Sequence, residues 1–233
     1  MTDIGPLRAW ISRPALIDNA RRALRLDPDG VADLRRDALG HGVDVVASAF
    51  ASAGGRRVHI DPEAADAVAA AGLTAVDETP SLDSRTLYGL PGGDGAPALR
   101  LTGSVLSSKR LLAGEGVSYN YTHIAVADTR IALVSGGFGQ GVLRGLGNRV
   151  SVEIGGVRHP IVGRVAMDVC VVDVGDAPVR PGDEVVYFGG HGPAREALGE
   201  WERATGLTGA EIVCALGLRT ASLSLRETTE DAA

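Results

Sequence analysis

The sequence predicts a protein of mixed class, in which an α/β segment of about three βα units precedes an all-β domain. Residues 1–97 alternate short apolar runs with alanine-rich helical runs, which is typical of a parallel sheet. From Ala98 onward, apolar residues alternate with polar ones between glycine turns, as antiparallel strands do. The turn-forming run LPGGDGAP at 90–97 separates the two patterns. We therefore predict segments at 1–97 and 98–228, with a polar tail at 229–233.

The elements of the first segment follow from capping residues and apolar spacing. Pro14 suits the first turn of a helix over 14–24, and Val46, Ala49 and Phe50 have helical spacing within 43–53. Asp61 is predicted to cap a third helix that begins at Pro62 and ends at Gly72. Short apolar runs predict strands at 31–36 and 57–60.

Seven β-branched runs predict the strands of the second segment: 99–106, 123–127, 131–134, 150–154, 159–165, 169–174 and 184–188. Gly155-Gly156 between two of these runs is a hairpin signal. Two helices, at about 194–204 and 209–216, are predicted to follow.

Composition and charge exclude several classes of protein. The chain has 233 residues, 45% of them hydrophobic and 22% charged, which indicates a folded globular protein. A net charge of -6 gives no electrostatic reason to bind nucleic acid or an anionic membrane surface. No apolar run is long enough to span a bilayer, and the N-terminus lacks a basic segment followed by an apolar one. We therefore expect a cytoplasmic protein with neither a nucleic-acid nor a membrane partner.

The chain has few residues suited to metal or lysine chemistry. Cys170 and Cys214 lie far apart without a CxxC neighbour, so we predict two buried thiols and neither a disulfide nor a zinc site. The five histidines also lack the spacing of ligands, which predicts no metal. Lys109 is the only lysine, so chemistry that needs a lysine amine has a single candidate.

Five motifs of the second segment resemble, in order and spacing, the C-terminal β-domain of alanine racemases. They are GEGVSYN at 114–120, GFGQG at 137–141, PIVGRVAMD at 160–168, VDV at 172–174 and PGDEV at 181–185. AEIVCALGLR at 210–219 resembles the closing helix of that family. Upstream, DALGHG at 37–42 resembles the segment just after the family's pyridoxal-phosphate lysine.

The resemblance implies a cofactor-holding eight-stranded α/β barrel, followed by the β-domain, in a head-to-tail dimer. A complete barrel of this kind takes about 250 residues, so we expect residues 1–97 to be the remnant of one. The missing part would contain the arginine and histidine that the family uses near the pyridine nitrogen and the substrate carboxylate.

The resemblance also implies which site residues remain. Tyr119 matches the catalytic tyrosine that reaches across the dimer as the second acid-base residue. Met167 and Asp168 match the substrate-pocket segment, with the Met167 backbone amide near the substrate carboxylate. From packing alone, Tyr119 would instead be a half-buried strand residue, and Met167 would fill the core.

The cofactor half of the site is missing. The Schiff-base lysine falls on Arg35 or, less favourably, Arg36, and a permanently protonated guanidinium is a poor nucleophile. The family's phosphate-binding tyrosines fall on Leu39 and Ala210, and a further tyrosine in its glycine-rich turn falls on Phe138, so three hydroxyls are missing. We therefore expect no cofactor, with pyridoxal phosphate bound only if the family activity is retained, and we interpret Lys109 as a surface lysine.

Three functions remain open from the sequence. The preferred one is a degenerate, non-catalytic alanine racemase homologue that forms a homo-oligomer. The second is interconversion of L- and D-alanine for cell-wall D-alanine supply, either by this chain alone or by a hetero-dimer in which Tyr119 completes the site of a full-length racemase. In the third, the β-domain binds a small ligand or a protein through apolar surface left exposed by the shortened barrel.

Overall fold

The computed structural model describes residues 7–217 and 224–228. These residues form two compact units. The α/β unit consists of residues 10–100, 208–217 and 225–228, and the β unit consists of residues 7–9, 101–207 and 224.

The described strands, in chain order, are β1 (Arg8–Ser12), β2 (Val31–Asp33), β3 (Arg57–His59), β4 (Thr74–Ala75), β5 (Leu99–Leu111), β6 (Gly116–Val117), β7 (His123–Ile124), β8 (Thr129–Ser135), β9 (Ser151–Ile154), β10 (Val157–Pro160), β11 (Val169–Asp173), β12 (Glu184–Phe188) and β13 (Ser224–Thr228). The described α-helical segments are α1 (Arg13–Leu26), α2 (Arg35–Gly40), α3 (Val43–Ser52), α4 (Ala65–Ala70), α5 (Ser84–Tyr88), α6 (Ala197–Thr205) and α7 (Gly209–Gly217).

In the α/β unit, β2, β3 and β4 pair in parallel in that order. Ser12 caps α1, because its hydroxyl accepts a hydrogen bond from Ala15 N at 3.2 Å. The predicted capping role of Asp61 is wrong: a short 3₁₀ turn precedes α4, and no side-chain capping bond forms there. The Asp61 carboxylate instead accepts a hydrogen bond from the Arg36 amide at 2.7 Å.

The segment α2 is left-handed, since Arg36 to Leu39 all have φ between 52° and 57°. The strand predicted over 31–36 therefore stops at Asp33. A left-handed turn of residues with side chains costs about 1–2 kcal/mol per residue. Hydrogen bonds to two carboxylates oppose this cost: Arg36 N donates to Asp61, and Val43 N donates to Asp37 Oδ1 at 2.8 Å.

The β unit is built on antiparallel pairs around β5. On one side β5 pairs with β8, which pairs with β11, and on the other side β5 pairs with β12, which pairs with β9. The predicted hairpin is confirmed, because β9 and β10 pair across Gly155-Gly156. Two predicted strands are shorter than expected: 123–127 yields only β7, and 159–165 ends at Pro160, before Gly163 turns the chain with φ +75°.

The core of the β unit includes α6, which begins three residues after the predicted start. Trp201 on α6 is fully buried, with its ring edge-on to Phe188 at 5.2 Å and to Tyr187 at 6.2 Å. Cys170 is buried as predicted, whereas Cys214 is only partly buried. The predicted tail at 229–233 lies outside the described residues.

The described parts of the chain hold neither a membrane-spanning helix nor a metal-binding cluster. None of the helices there is both long enough and apolar enough to cross a lipid bilayer. The same residues contain no group of three or more histidine, cysteine, aspartate or glutamate side chains that could hold a metal ion.

Candidate functional site

Arg35, one of the two residues on which the resemblance predicts the Schiff-base lysine to fall, is held in a bidentate ion pair. Its Nε and Nη2 donate to the two carboxylate oxygens of Asp33 at 2.8 and 2.6 Å, and its backbone amide donates to the same carboxylate at 3.1 Å. Burial alone would raise the pKa of Asp33, but the hydrogen bonds and positive charge of Arg35 outweigh it and hold that pKa below its usual value. The guanidinium is thus fixed as a cation.

Near the left-handed turn, His41 and Tyr88 form a buried pair of rings whose centroids are 4.7 Å apart. Tyr88 donates its hydroxyl hydrogen to the carbonyl oxygen of Asp33 at 2.7 Å, which ties α5 to the end of β2. His41 Nδ1 donates to Ala38 O at 3.0 Å, and its Nε2 has no partner among the described residues. Burial lowers the pKa of His41 from its ordinary 6.5 to about 4, so this histidine is neutral at pH 7.

The residues present do not fit pyridoxal phosphate. Covalent attachment needs a nucleophilic amine, and Arg35 offers only an ion-paired guanidinium. Leu39, Phe138 and Ala210 have no hydroxyl to donate to a phosphate. The ring of Phe138 is instead covered by the Arg144 guanidinium, 4.9 Å from the ring centroid.

Tyr119 lies in an exposed turn between β6 and β7, not in a strand, and 64% of its surface is accessible. The interpretation of Tyr119 as a half-buried packing residue is therefore wrong. Its neighbours Ser118, Asn120 and Tyr121 all have positive φ, between 45° and 64°. Positive φ is uncommon for residues other than glycine, so surrounding contacts must maintain this turn.

Two side chains fasten the Tyr119 turn to the segment that leads to Met167. Ser118 Oγ donates to Arg164 O at 2.6 Å. Asn148 Nδ2 donates to Thr122 Oγ1 at 3.2 Å, while Asn148 Oδ1 accepts from Gly163 N at 2.6 Å. Ser118 and Asn148 therefore fix the turn on both sides of Tyr119.

Met167 and Asp168 are both exposed, so the interpretation of Met167 as core filler is also wrong. Gly139 N donates to the Met167 carbonyl at 2.8 Å, and Gly136 N donates to the Asp168 carbonyl at 3.0 Å. A Cβ at Gly137 would lie 2.2 Å from the Met167 carbonyl oxygen, so this close approach needs glycine. The glycine-rich turn is thus a support for the 167–168 segment.

The turn that contains Tyr119 and the segment that contains Met167 and Asp168 are connected, because Ser118 is hydrogen-bonded to the loop that continues to Met167. Sequence reasoning missed Ser118, Asn148 and the Asp33 partner of Arg35. An acidic residue two positions before a basic one at a strand end is the signal that could have revealed the last of these. The sole lysine, Lys109, lies exposed on β5 of the β unit, whereas Arg35 belongs to the α/β unit.

Comparisons with known proteins agree on one family. The family model described as "Alanine racemase, C-terminal domain" matches residues 98–223. The alanine racemase of Thermobifida fusca is 37% identical over 143 residues, which are 60% of this chain and 38% of that protein. That of Mycobacterium leprae is 41% identical over 122 residues, which are 52% of this chain and 31% of that protein. The matches thus span well under half the length of these relatives.

Solved structures show the same fold. An alanine racemase from a D-cycloserine-producing Streptomyces lavendulae superposes with a TM-score of 0.81 at 19% identity, over 96% of this chain and 97% of that chain. An alanine racemase from Bartonella henselae, solved with covalently bound pyridoxal phosphate, gives a TM-score of 0.74 at 17% identity, over 96% and 100% of the two chains. At these identities the likeness establishes the fold and leaves the activity open.

Proposed function

The chain belongs to the alanine racemase family, and from that premise we propose that it is a degenerate, non-catalytic member that has lost attachment of pyridoxal phosphate. One observation supports this most directly: Arg35, on which the resemblance places the cofactor lysine, is bound to Asp33 through two side-chain hydrogen bonds. An enzyme of this kind that loses the lysine loses the attachment point and one of its two acid-base groups together.

The organisation of the protein belongs to the same proposal. We interpret residues 1–97, which contain the three parallel strands β2 to β4, as the remnant of the cofactor barrel. We interpret residues 98–228 as the β-domain. We further propose a homo-oligomer in the cytoplasm. Several large apolar side chains within 112–126 are exposed and would gain from being covered: Leu112, Tyr119, Tyr121, Ile124 and Val126.

A racemisation assay tests the loss of catalysis. The purified chain, supplied with pyridoxal phosphate and L-alanine, is expected to form no D-alanine above the protein-free control, as measured by chiral chromatography. Formation of D-alanine that depends on the protein and disappears in Lys109→Ala would contradict the proposal, because it would assign the missing amine to Lys109.

A second function, donation of Tyr119 to a full-length alanine racemase subunit, is favoured by the state of that residue. Tyr119 is exposed, and its turn is fastened by Ser118 and Asn148. In the same chain, the resemblance places an arginine where the family has its cofactor lysine. A tyrosine held in a defined position can serve as an acid-base group for a site on another subunit.

The donation is tested in a mixed dimer purified through a different tag on each subunit. Tyr119→Phe is expected to lower racemisation by that dimer by about 100-fold or more, because it removes the hydroxyl that exchanges the proton. Tyr121→Phe, in the same turn and similarly exposed, is the matched control and should leave the rate unchanged. Equal rates for the two variants, or failure of the two subunits to co-purify, would exclude donation.

A further inference from the structure

The β unit contains a cleft of about 320 Å³ that borders the Tyr119 turn at Ser118 and has a floor formed by other residues. Its volume lies at the lower end of the range of about 300–1,000 Å³ that small-molecule sites occupy. The lining residues are Ser107, Lys109, Gly116, Val117, Ser118, Ile131, Leu133 and Val171.

The floor of the cleft is one face of three adjacent strands. Lys109 on β5 pairs with Ile131 on β8, and Leu133 on β8 pairs with both Ser107 on β5 and Val171 on β11. Because side chains alternate between the two faces of a strand, these five side chains share one face of the sheet. The β6 residues and Ser118 complete the lining, so the cleft is walled by a short hairpin.

The cleft lining combines an apolar surface with one positively charged side chain. Val117, Ile131, Leu133 and Val171 provide an apolar surface, and Val117 and Ile131 belong to the buried cluster beneath the hairpin. Lys109 provides the only lysine ammonium group, and no acidic side chain of the described residues forms a salt bridge with it. Asp173, which pairs with Ile131 on the far side from Lys109, accepts hydrogen bonds from Thr129 Oγ1 at 2.6 Å and Gly175 N at 3.1 Å.

We propose that this cleft binds a short-chain monocarboxylic acid, with the carboxylate at the Lys109 ammonium and the apolar tail over Ile131, Leu133 and Val171. An unpaired cation next to an apolar floor favours a ligand that has one negative charge and an apolar body. The Ser107 hydroxyl adds a hydrogen-bond donor at the rim. The site does not depend on cofactor attachment, so it goes beyond the proposed loss of catalysis.

The single lysine makes the test specific. Reductive ¹³C-methylation, which keeps the charge of the amine, gives one lysine signal in the NMR spectrum, separate from that of the terminal amine. Titration with sodium hexanoate is expected to shift the Lys109 signal in a saturable way, whereas the uncharged analogue hexan-1-ol should bind more weakly and leave that signal nearly unmoved.

Variants assign the binding to the cleft. Calorimetry with hexanoate is expected to show affinity about threefold to tenfold weaker for Lys109→Gln, since the variant loses the charged contact. Ser107→Trp, at an exposed position on the rim, should block the cleft and abolish binding without disturbing the core. Arg110→Gln is the matched control, because the next side chain on β5 points to the opposite face. No saturable shift, or equal hexanoate affinity in the Lys109 and Arg110 variants, would overturn the proposal.

Discussion

Replacing Trp201 by alanine is expected to lower the free energy of unfolding of the chain by about 3–5 kcal/mol, the usual cost of removing a large buried aromatic side chain. Trp201 is fully buried and contacts Phe188 and Tyr187 edge-on. Tyr187 in turn donates its hydroxyl hydrogen to Ser135 O at 2.6 Å, next to the glycine turn that supports Met167. The loss should therefore also loosen the support of the 167–168 segment.

Urea denaturation followed by circular dichroism measures this effect without relying on tryptophan fluorescence. Trp201→Phe is the control: it keeps an aromatic ring against Phe188, and the indole nitrogen it removes has no hydrogen-bond partner among the described residues. A smaller loss is expected for this variant. Equal stability of the alanine variant and the parent chain would show that α6 does not anchor the β unit.

Acid is expected to weaken the α/β unit through His41. The pKa of His41 is about 4 in the folded chain, and we take the ordinary value of 6.5 for the unfolded chain. Between these two pH values the imidazole binds a proton only when the chain is unfolded. The contribution of His41 to the free energy of unfolding is therefore fully present above pH 6.5. It is lost as the pH drops toward 4, by about 3 kcal/mol in total. Below pH 4 both states are protonated and this contribution changes no further.

The measurement compares unfolding free energies of the parent chain and His41→Phe between pH 7.5 and 4. His41→Phe keeps a ring beside Tyr88 but cannot titrate, so its stability should depend less on pH over this window. Burial also lowers the pKa of His159, and that residue is present in both proteins, so the difference between them isolates His41. Parallel pH curves for the two proteins would contradict the assignment.

Much of the β unit could be predicted from sequence because its signals are local. Alternating apolar residues predict strands wherever one face is buried, as in β9 and β11. A glycine pair fixes a two-residue turn, as at Gly155-Gly156. The family motifs in turn indicated Tyr119, Met167 and Asp168, although pattern alone favoured burial for the first two.

The rest depends on contacts between residues distant in sequence. The left-handed turn at 36–39 could not be predicted, since arginine, alanine and leucine all avoid positive φ. The turn relies on Asp61, which approaches from a later loop, and the Tyr119 turn relies likewise on Asn148. No sequence spacing identifies Asp61 or Asn148 as the hydrogen-bond partner of its turn. A contact between distant residues also accompanies the early end of β10. The chain turns at Gly163, where an added Cβ would lie 2.7 Å from Ser118 Cβ.

The central claim is that no lysine stands where the family attaches pyridoxal phosphate, and a cofactor titration tests it most directly. The chain is titrated with pyridoxal phosphate at micromolar concentration, followed by visible absorbance, then reduced with borohydride and mapped by mass spectrometry. We predict no saturable protein-bound band and no stoichiometric adduct on any peptide. A one-to-one adduct on Lys109, lost in Lys109→Ala and accompanied by such a band, would contradict the account.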